Sequence, residues 1–332
     1  MKILHPEPLE TWRSNGGQQE WLLKPFLMRS SSLMLYGRPG LGKTTLALQL
    51  AAALMGEQKT WLGFPVERPG PVLWLQLDMP RYEMSAMLDR AISAKLFSAT
   101  APMSFVRMYD IEDDYGYNVN VAAPLTEQEE VFDFNLLARA DYDALADIIR
   151  GVYPVALFVD TVGDAYYSVG SKAINDEIRD VLRRLRSLMR PVGGAVVYLH
   201  HQRKRNPQLL TDDPDEFLGG MAWAGFASTS MQLLKSKSTA VVEEGDDPDD
   251  KFHLALRKVR LGQLGFDRFE LLRNATGFFE PKWTAKHGIL LWQDYLSKQW
   301  GGDMYETLSR QLGVTEEALR KAKSRLKEKG IL

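Results

Sequence analysis

The sequence predicts an α/β fold, a mostly parallel, doubly wound sheet with helices on both faces. Three observations carry that expectation. Four short runs, Leu33–Tyr36, Val72–Leu77, Val155–Val159 and Ala195–Leu199, are near-continuously hydrophobic, as strands covered on both faces are. Helical patterns lie between them: Thr44–Leu54 is rich in helix formers, and Ile178, Val181, Leu182, Leu185 and Leu188 recur at helical spacing after Asn175, a candidate cap. Strand and helix alternate, which implies parallel strands joined by crossovers.

The 332 residues exceed one domain of roughly 150 residues, and the text divides into three. Residues 1–30 are a lead-in with Trp12 and Trp21, ending in the apolar patch Trp21–Leu27. Residues 31–280 hold the α/β pattern. Within them, 98–135 is acidic and polar without a sustained period and reads as an irregular surface insertion, while Glu243–Lys251 reads as a charged turn between the β-like runs Thr239–Val242 and Phe252–Arg257.

Residues 281–332 form a helical module. Asp303 and Glu306 have capping-box spacing ahead of a helix carrying Tyr305, Leu308 and Leu312. Gly313 breaks it, and Thr315 caps a second helix with Leu319, Ala322 and Leu326. That is a helix-turn-helix or winged-helix-like pattern in which Gly330-Ile331-Leu332 would begin a wing strand.

Composition excludes several classes. With 45% hydrophobic and 25% charged residues the chain is neither disordered nor fibrous. Lys plus Arg total 41 against 43 for Asp plus Glu, a net charge of -2, so any nucleic-acid contact needs a local basic patch. The absence of cysteine rules out disulfides, thiol catalysis and zinc–thiolate sites, and fits a reducing cytoplasm. The first residues lack the apolar core of a secretion signal, and no run approaches a membrane span, so a cytoplasmic chain without membrane partners is expected.

The strongest motif is Gly37-Arg38-Pro39-Gly40-Leu41-Gly42-Lys43-Thr44, a full match to G-x-x-x-x-G-K-[ST] between a strand and a helix. Glycines let main-chain N–H groups curl around phosphate oxygens, and the helix N-terminus adds partial positive charge. The expected cofactor set is ATP with Mg²⁺, held by residues 37–44 and Thr45. Lys43 would meet the β- and γ-phosphates and Thr44 the metal. Asp160 closes the buried run Val155–Val159 at the strand end where ligands bind, and is the second metal-holding candidate. Asp78 ends Val72–Leu77 and is the candidate base for the attacking water, with Glu83 as fallback; capping the turn at Pro80 is its alternative role. His200 and His201 face opposite sides of their strand, so they cannot easily share a metal. His201 is the candidate γ-phosphate sensor, the alternative being a satisfied core histidine.

Together these features resemble the RecA-like P-loop ATPases, and most of all the RepA-type hexameric replicative helicases of plasmids, phages and mobile elements. The resemblance covers roughly residues 15–280. It rests on the lead-in, the P-loop, LQLDMP, the Walker B stretch FVDTVGDAY, VVYLHHQRK, and Gly219-Gly220 with MAWAGFASTSMQLLK. The family usually places a glutamate where this chain has Asp78.

The resemblance further implies that Lys258 and Arg260, with the Lys-x-Arg spacing of a late strand, reach a neighbouring subunit's ATP. That makes a homo-oligomeric ring, a hexamer, the expected assembly. Two solvated cations on an edge strand are the alternative. In such rings the loop after the histidine strand faces single-stranded DNA, which would place Arg203, Lys204 and Arg205 on nucleic acid. The segment 304–332 holds seven basic residues against four acids, with Lys321 and Arg325 on the would-be recognition helix. A protein contact, including a replication or mobile-element partner, fits it too.

The activity expected is ATP hydrolysis coupled to movement on single-stranded DNA. A nucleotide-switched DNA-binding or partner-loading ATPase without unwinding is the rival. A small-molecule kinase is disfavoured because no compact arginine-bearing lid is evident.

Overall fold

The computed structural model describes residues 8–14, 20–107, 136–165, 174–201, 226–236, 251–260 and 264–332. A short helix α1 (Leu9–Ser14) precedes a hairpin of β1 (Trp21–Leu23) and β2 (Leu27–Met28). Strand β3 (Ser32–Gly37) then runs through the glycine-rich loop into α2 (Lys43–Leu54). A second hairpin, β4 (Thr60–Trp61) with β5 (Phe64–Pro65), leads to β6 (Val72–Gln76), α3 (Arg81–Ser93) and β7 (Met103–Arg107). Next come α4 (Arg139–Val152), β8 (Ala156–Asp160), α5 (Ile174–Met189) and β9 (Ala195–His201). Strands β10 (Thr229–Lys235), β11 (Lys251–Val259), β12 (Arg268–Arg273) and β13 (Phe279–Lys282) complete one nine-stranded sheet.

Its order is β13-β12-β11-β10-β3-β9-β8-β6-β7. The six strands from β10 to β7 are parallel, while β11, β12 and β13 extend the edge antiparallel. β3 lies centrally and is separated from β8 by β9. Neighbours of β3 therefore diverge in chain order on its two sides, the switch point where α/β sheets bind ligands.

Alternation along the strands explains the two cores. Leu33 and Leu35 of β3, Val72 and Trp74 of β6, Ala156 and Phe158 of β8, and Val197 and Leu199 of β9 pack on one face with Leu46, Leu50 and Leu54 of α2. The intervening residues Met34, Tyr36, Leu73, Leu75, Leu157, Val159, Val196 and Tyr198 pack on the other, against Leu145 and Ile149 of α4 and Val181, Leu182 and Leu185 of α5. A run with both parities apolar is what such a sandwich demands.

Two expectations need correction, and one boundary moves. Residues 98–135 are not irregular throughout: Met103–Arg107 form β7, parallel to β6. An edge strand needs no continuous apolar run, and Ser104 and Phe105 are exposed. Residues 108–135 lie outside the described residues, as do 237–250, which include most of the turn at Glu243–Lys251. Helix α5 begins at Ile174, ahead of the expected cap Asn175. Residues 330–332 form no wing strand, since Gly330 and Ile331 bond back to Lys327 and Leu326.

The C-terminal segment packs onto the sheet. It contains α6 (Ala285–Leu291), a π-helical turn (Trp292–Leu296), α7 (Ser297–Trp300), α8 (Met304–Leu312) and α9 (Glu316–Glu328). Asp303 accepts the amides of Tyr305 and Glu306, Gly313 (φ +64) ends α8, and Thr315 accepts the Ala318 amide. Leu308, Leu319 and Leu326 join the same buried cluster as α2. Among the described residues, no helix is long and apolar enough to cross a membrane.

Candidate nucleotide site

The loop between β3 and α2 is built by backbone conformation. Gly40 (φ +76) and Gly42 (φ +95) adopt the left-handed region that glycine enters without strain. Gly42 has a second reason to be glycine: a Cβ there would come within 3.0 Å of the Phe279 ring and 3.1 Å of Arg273 Nη2. The first amides of α2 have no partner within the helix and open toward the loop, ready for an anion.

Strand parity delivers the other groups. Asp160 continues the face of Ala156 and Phe158, and His201 that of Val197 and Leu199, which is the face covered by α2. His200, one residue off, is buried on the other side. Thr44 Oγ1 donates to Asp160 Oδ2 at 2.9 Å. Lys43 Nζ donates to the Arg38 carbonyl and to His201 Nδ1, both at 3.1 Å, and His201 Nε2 lies 3.2 Å from Asp78 Oδ2. An ammonium only donates, so Nδ1 must accept and Nε2 carries the proton given to Asp78. The Asp160 carbonyl accepts the amides of Leu77 and Asp78, tying the end of β6 to β8.

These groups border one cavity of about 320 Å³, together with Gly40, Gly42, Thr45, Met79, Met87, Arg90, Arg273 and Gly277. The sequence-predicted residues Lys43, Thr44, Thr45, Asp78, Asp160 and His201 are thus brought together. Asp78 does not cap α3, whose N-cap is Pro80. Glu83 is exposed in the first turn of α3, where it accepts from the Tyr82 hydroxyl, and it does not border the cavity. Lys258 and Arg260 sit at the far end of the sheet: Lys258 pairs with Ser230, and Arg260 N donates to Ser228 O, before the first residue of β10. Arg203, Lys204 and Arg205 lie outside the described residues, as do residues 219–225 of the glycine-led motif. Lys321 is ion-paired to Glu317 at 2.6 Å, whereas Arg325 is exposed. Met87, Arg90, Arg273 and Gly277 were not legible. Their local patterns announce a helix and a hairpin, and nothing in them announces the loop they wall.

Burial sets the electrostatics. It pushes the Asp160 carboxyl, 1% exposed, up to about 7, against the Thr44 hydrogen bond and the Lys43 charge, which lower it. Desolvation lowers Lys43, and the His201 hydrogen bond holds Asp78 below the ordinary carboxylate range. A desolvated carboxylate beside a threonine hydroxyl at a helix start is a hard-oxygen donor set with unmet need for positive charge, and it fits Mg²⁺.

A pH dependence follows. Asp160 keeps its proton to about 7 when folded but releases it near 3.8 when unfolded, so without divalent metal stability falls as pH rises across that window. The melting temperature should therefore drop between about pH 5 and about pH 7.5, and Asp160→Asn should remove that part of the drop. An unchanged profile in Asp160→Asn would mean the group does not carry the titration.

A family model described as the AAA domain matches residues 11–207, more than half of the chain. A search of curated proteins finds no match. Among solved structures, a KaiC-like protein from the hyperthermophilic archaeon Pyrococcus horikoshii aligns at 12% identity and a TM-score of 0.49, over 78% of this chain and 93% of that one. The match to the family model, across the loop, the two strand-end acids and the histidine strand, places the chain in the AAA domain family of P-loop ATPases.

Proposed function

We propose that the chain is a Mg²⁺-dependent ATPase of the RepA-type, RecA-like kind, which assembles as a ring and couples hydrolysis to movement on single-stranded DNA. The hydrolytic part is supported above all by the relay Lys43–His201–Asp78 beside the Thr44–Asp160 pair. Thr44 and Asp160 would hold the metal, which when bound neutralises charge on the phosphate oxygens. Lys43 and the amides of the loop bind the triphosphate. Asp78, with its pKa lowered, is a weak base and serves better as an acceptor that orients the attacking water. His201 touches both Lys43 and Asp78, so a change at the terminal phosphate reaches the end of β9, after which the proposed DNA-facing loop begins.

Assembly is supported by the placement of Lys258 and Arg260. From the β10–β3 register, Arg260 stands about 15 Å or more along the sheet from its own loop, at about 3.3 Å per residue. Another copy's site is the natural target, and a head-to-tail contact of that kind makes a ring when its rotation closes.

One observation favours the reading without unwinding. On α9, Arg320 and Lys321 are engaged by Glu316 and Glu317, and Arg320 lies 4.2 Å over the Tyr305 ring, which leaves a smaller free basic face. Phosphate release, light-scattering mass and strand displacement, each with and without single-stranded DNA, separate the two. A translocating ring hydrolyses faster on DNA, sediments as an oligomer and displaces a strand. Slow turnover with DNA binding and no displacement selects the switch.

A further inference from the structure

The β12–β13 hairpin is fastened at two points, once to α2 and once to the phosphate loop. Gln49 of α2 donates Nε2 to the Phe279 carbonyl at 2.8 Å, and its Oε1 accepts the Phe279 amide at 2.9 Å. Arg273 packs over two rings that meet edge-to-face, 4.7 Å from the Phe252 centroid and 5.2 Å from that of Phe279. Its Nη2 donates to the Leu41 carbonyl at 3.0 Å, while its Nε is buried without a hydrogen-bond partner. No carboxylate among the described residues pairs with this guanidinium, so its one polar commitment is to the loop.

That commitment has a geometric consequence. The Leu41 carbonyl and the Gly42 N–H belong to one planar trans peptide unit, so they point in opposite directions. Holding the carbonyl on Arg273 turns the Gly42 N–H away from the hairpin. A cation at the carbonyl also polarises the unit and strengthens its N–H as a donor. Glycine at φ +95 is otherwise free to rotate. Both Gly42 and Arg273 border the cavity that holds Lys43, Thr44 and Asp160.

We propose that Arg273 is a positioning residue for phosphate: it presets the Leu41–Gly42 peptide so that the Gly42 N–H is presented to phosphate oxygens. This rests on the cavity being a triphosphate site. The ligand class is the polyphosphate alone, so the base should not matter.

The test compares MgATP and magnesium tripolyphosphate on wild type, Arg273→Met, Arg273→Lys and Gln49→Ala, with melting temperatures recorded. Methionine keeps an apolar stem against the two rings and removes the donors. Its affinity for both ligands should fall about tenfold or more, with KM rising and kcat moving less than about threefold. Lysine supplies a charged donor, and one hydrogen bond needs no planar fork, so it should recover most of the loss. Gln49→Ala loosens the hairpin and with it the Phe279 ring against which Arg273 packs. It should melt lower and lose less affinity than Arg273→Met, which removes the donor itself.

Equal binding by wild type and Arg273→Met overturns the proposal alone. So does lysine doing no better than methionine, because that reduces Arg273 to packing. A wild-type chain that binds neither ligand removes the triphosphate reading beneath it.

Discussion

Lys43→Ala leaves a folded chain that no longer hydrolyses ATP. The fold should survive because α2 is anchored elsewhere: Leu46, Ala47, Leu50, Ala51 and Leu54 are fully buried, and its first turn is set by Gly42. Lys43 contributes little to that packing. Its ammonium lies in a desolvated place where burial opposes its charge, and its hydrogen bonds go to one carbonyl and one histidine. Losing them should change the melting temperature by no more than about 4 °C, the equivalent of about 1 kcal/mol in a domain of this size.

Catalysis is another matter. Removing one preorganised donor from a phosphoryl-transfer site costs about 10²–10³-fold in rate. Here the same change also frees His201 Nδ1, so the tautomer that donates Nε2–H to Asp78 is no longer enforced. Phosphate release at saturating MgATP, beside a thermal melt, checks both halves. Turnover within tenfold of wild type would show that the lysine is not where the charge develops.

Much of the site was legible because strand geometry is strict. Once Val155–Val159 and Ala195–Leu199 are read as buried strands, the period of two decides which strand-end side chains face α2. Asp160 and His201 fall on that face, and His200 does not. The loop itself is a local motif whose partners, Lys43 and Thr44, lie within it. The opposite wall was illegible for a reason of distance. Arg273 meets a carbonyl 232 residues earlier in the chain, and only the packing of Phe252 and Phe279 decides that it points there. Strand β7 was missed because exposure on an edge removes the apolar signal, while in β10 the buried polar residues Thr229, Ser230 and Gln232 interrupt the apolar run, and β12 carries the alternation of a half-covered strand. Periodicity reveals which elements exist, and side-chain packing chooses their neighbours.

Arg260→Ala should bind ATP normally and hydrolyse it about 10³–10⁵-fold more slowly. The asymmetry comes from position. Arg260 is bonded at the start of β10, a full strand length from its own loop, so nothing it does affects how one chain grips phosphate. Lys258 sits two residues earlier on the same strand. Its pKa is lowered, first by burial and then by the Arg260 charge, and the spacing of two puts both side chains on one side of the chain. On the proposed assembly, the negative charge this pair would meet is the triphosphate of a neighbouring copy.

Complementation decides the matter. Arg260→Ala retains an intact loop, and Lys43→Ala retains Lys258 and Arg260. Each alone should be inactive. Mixed in equal amounts with random exchange, about a quarter of the interfaces pair a sound loop with a sound Arg260, and activity should return in proportion. Mixtures that demonstrably exchange subunits yet stay silent would confine Arg260 to its own chain. A monomer turning over at the wild-type rate would take Arg260 out of the reaction, since a residue that far from its own loop can act on phosphate only across a contact between copies.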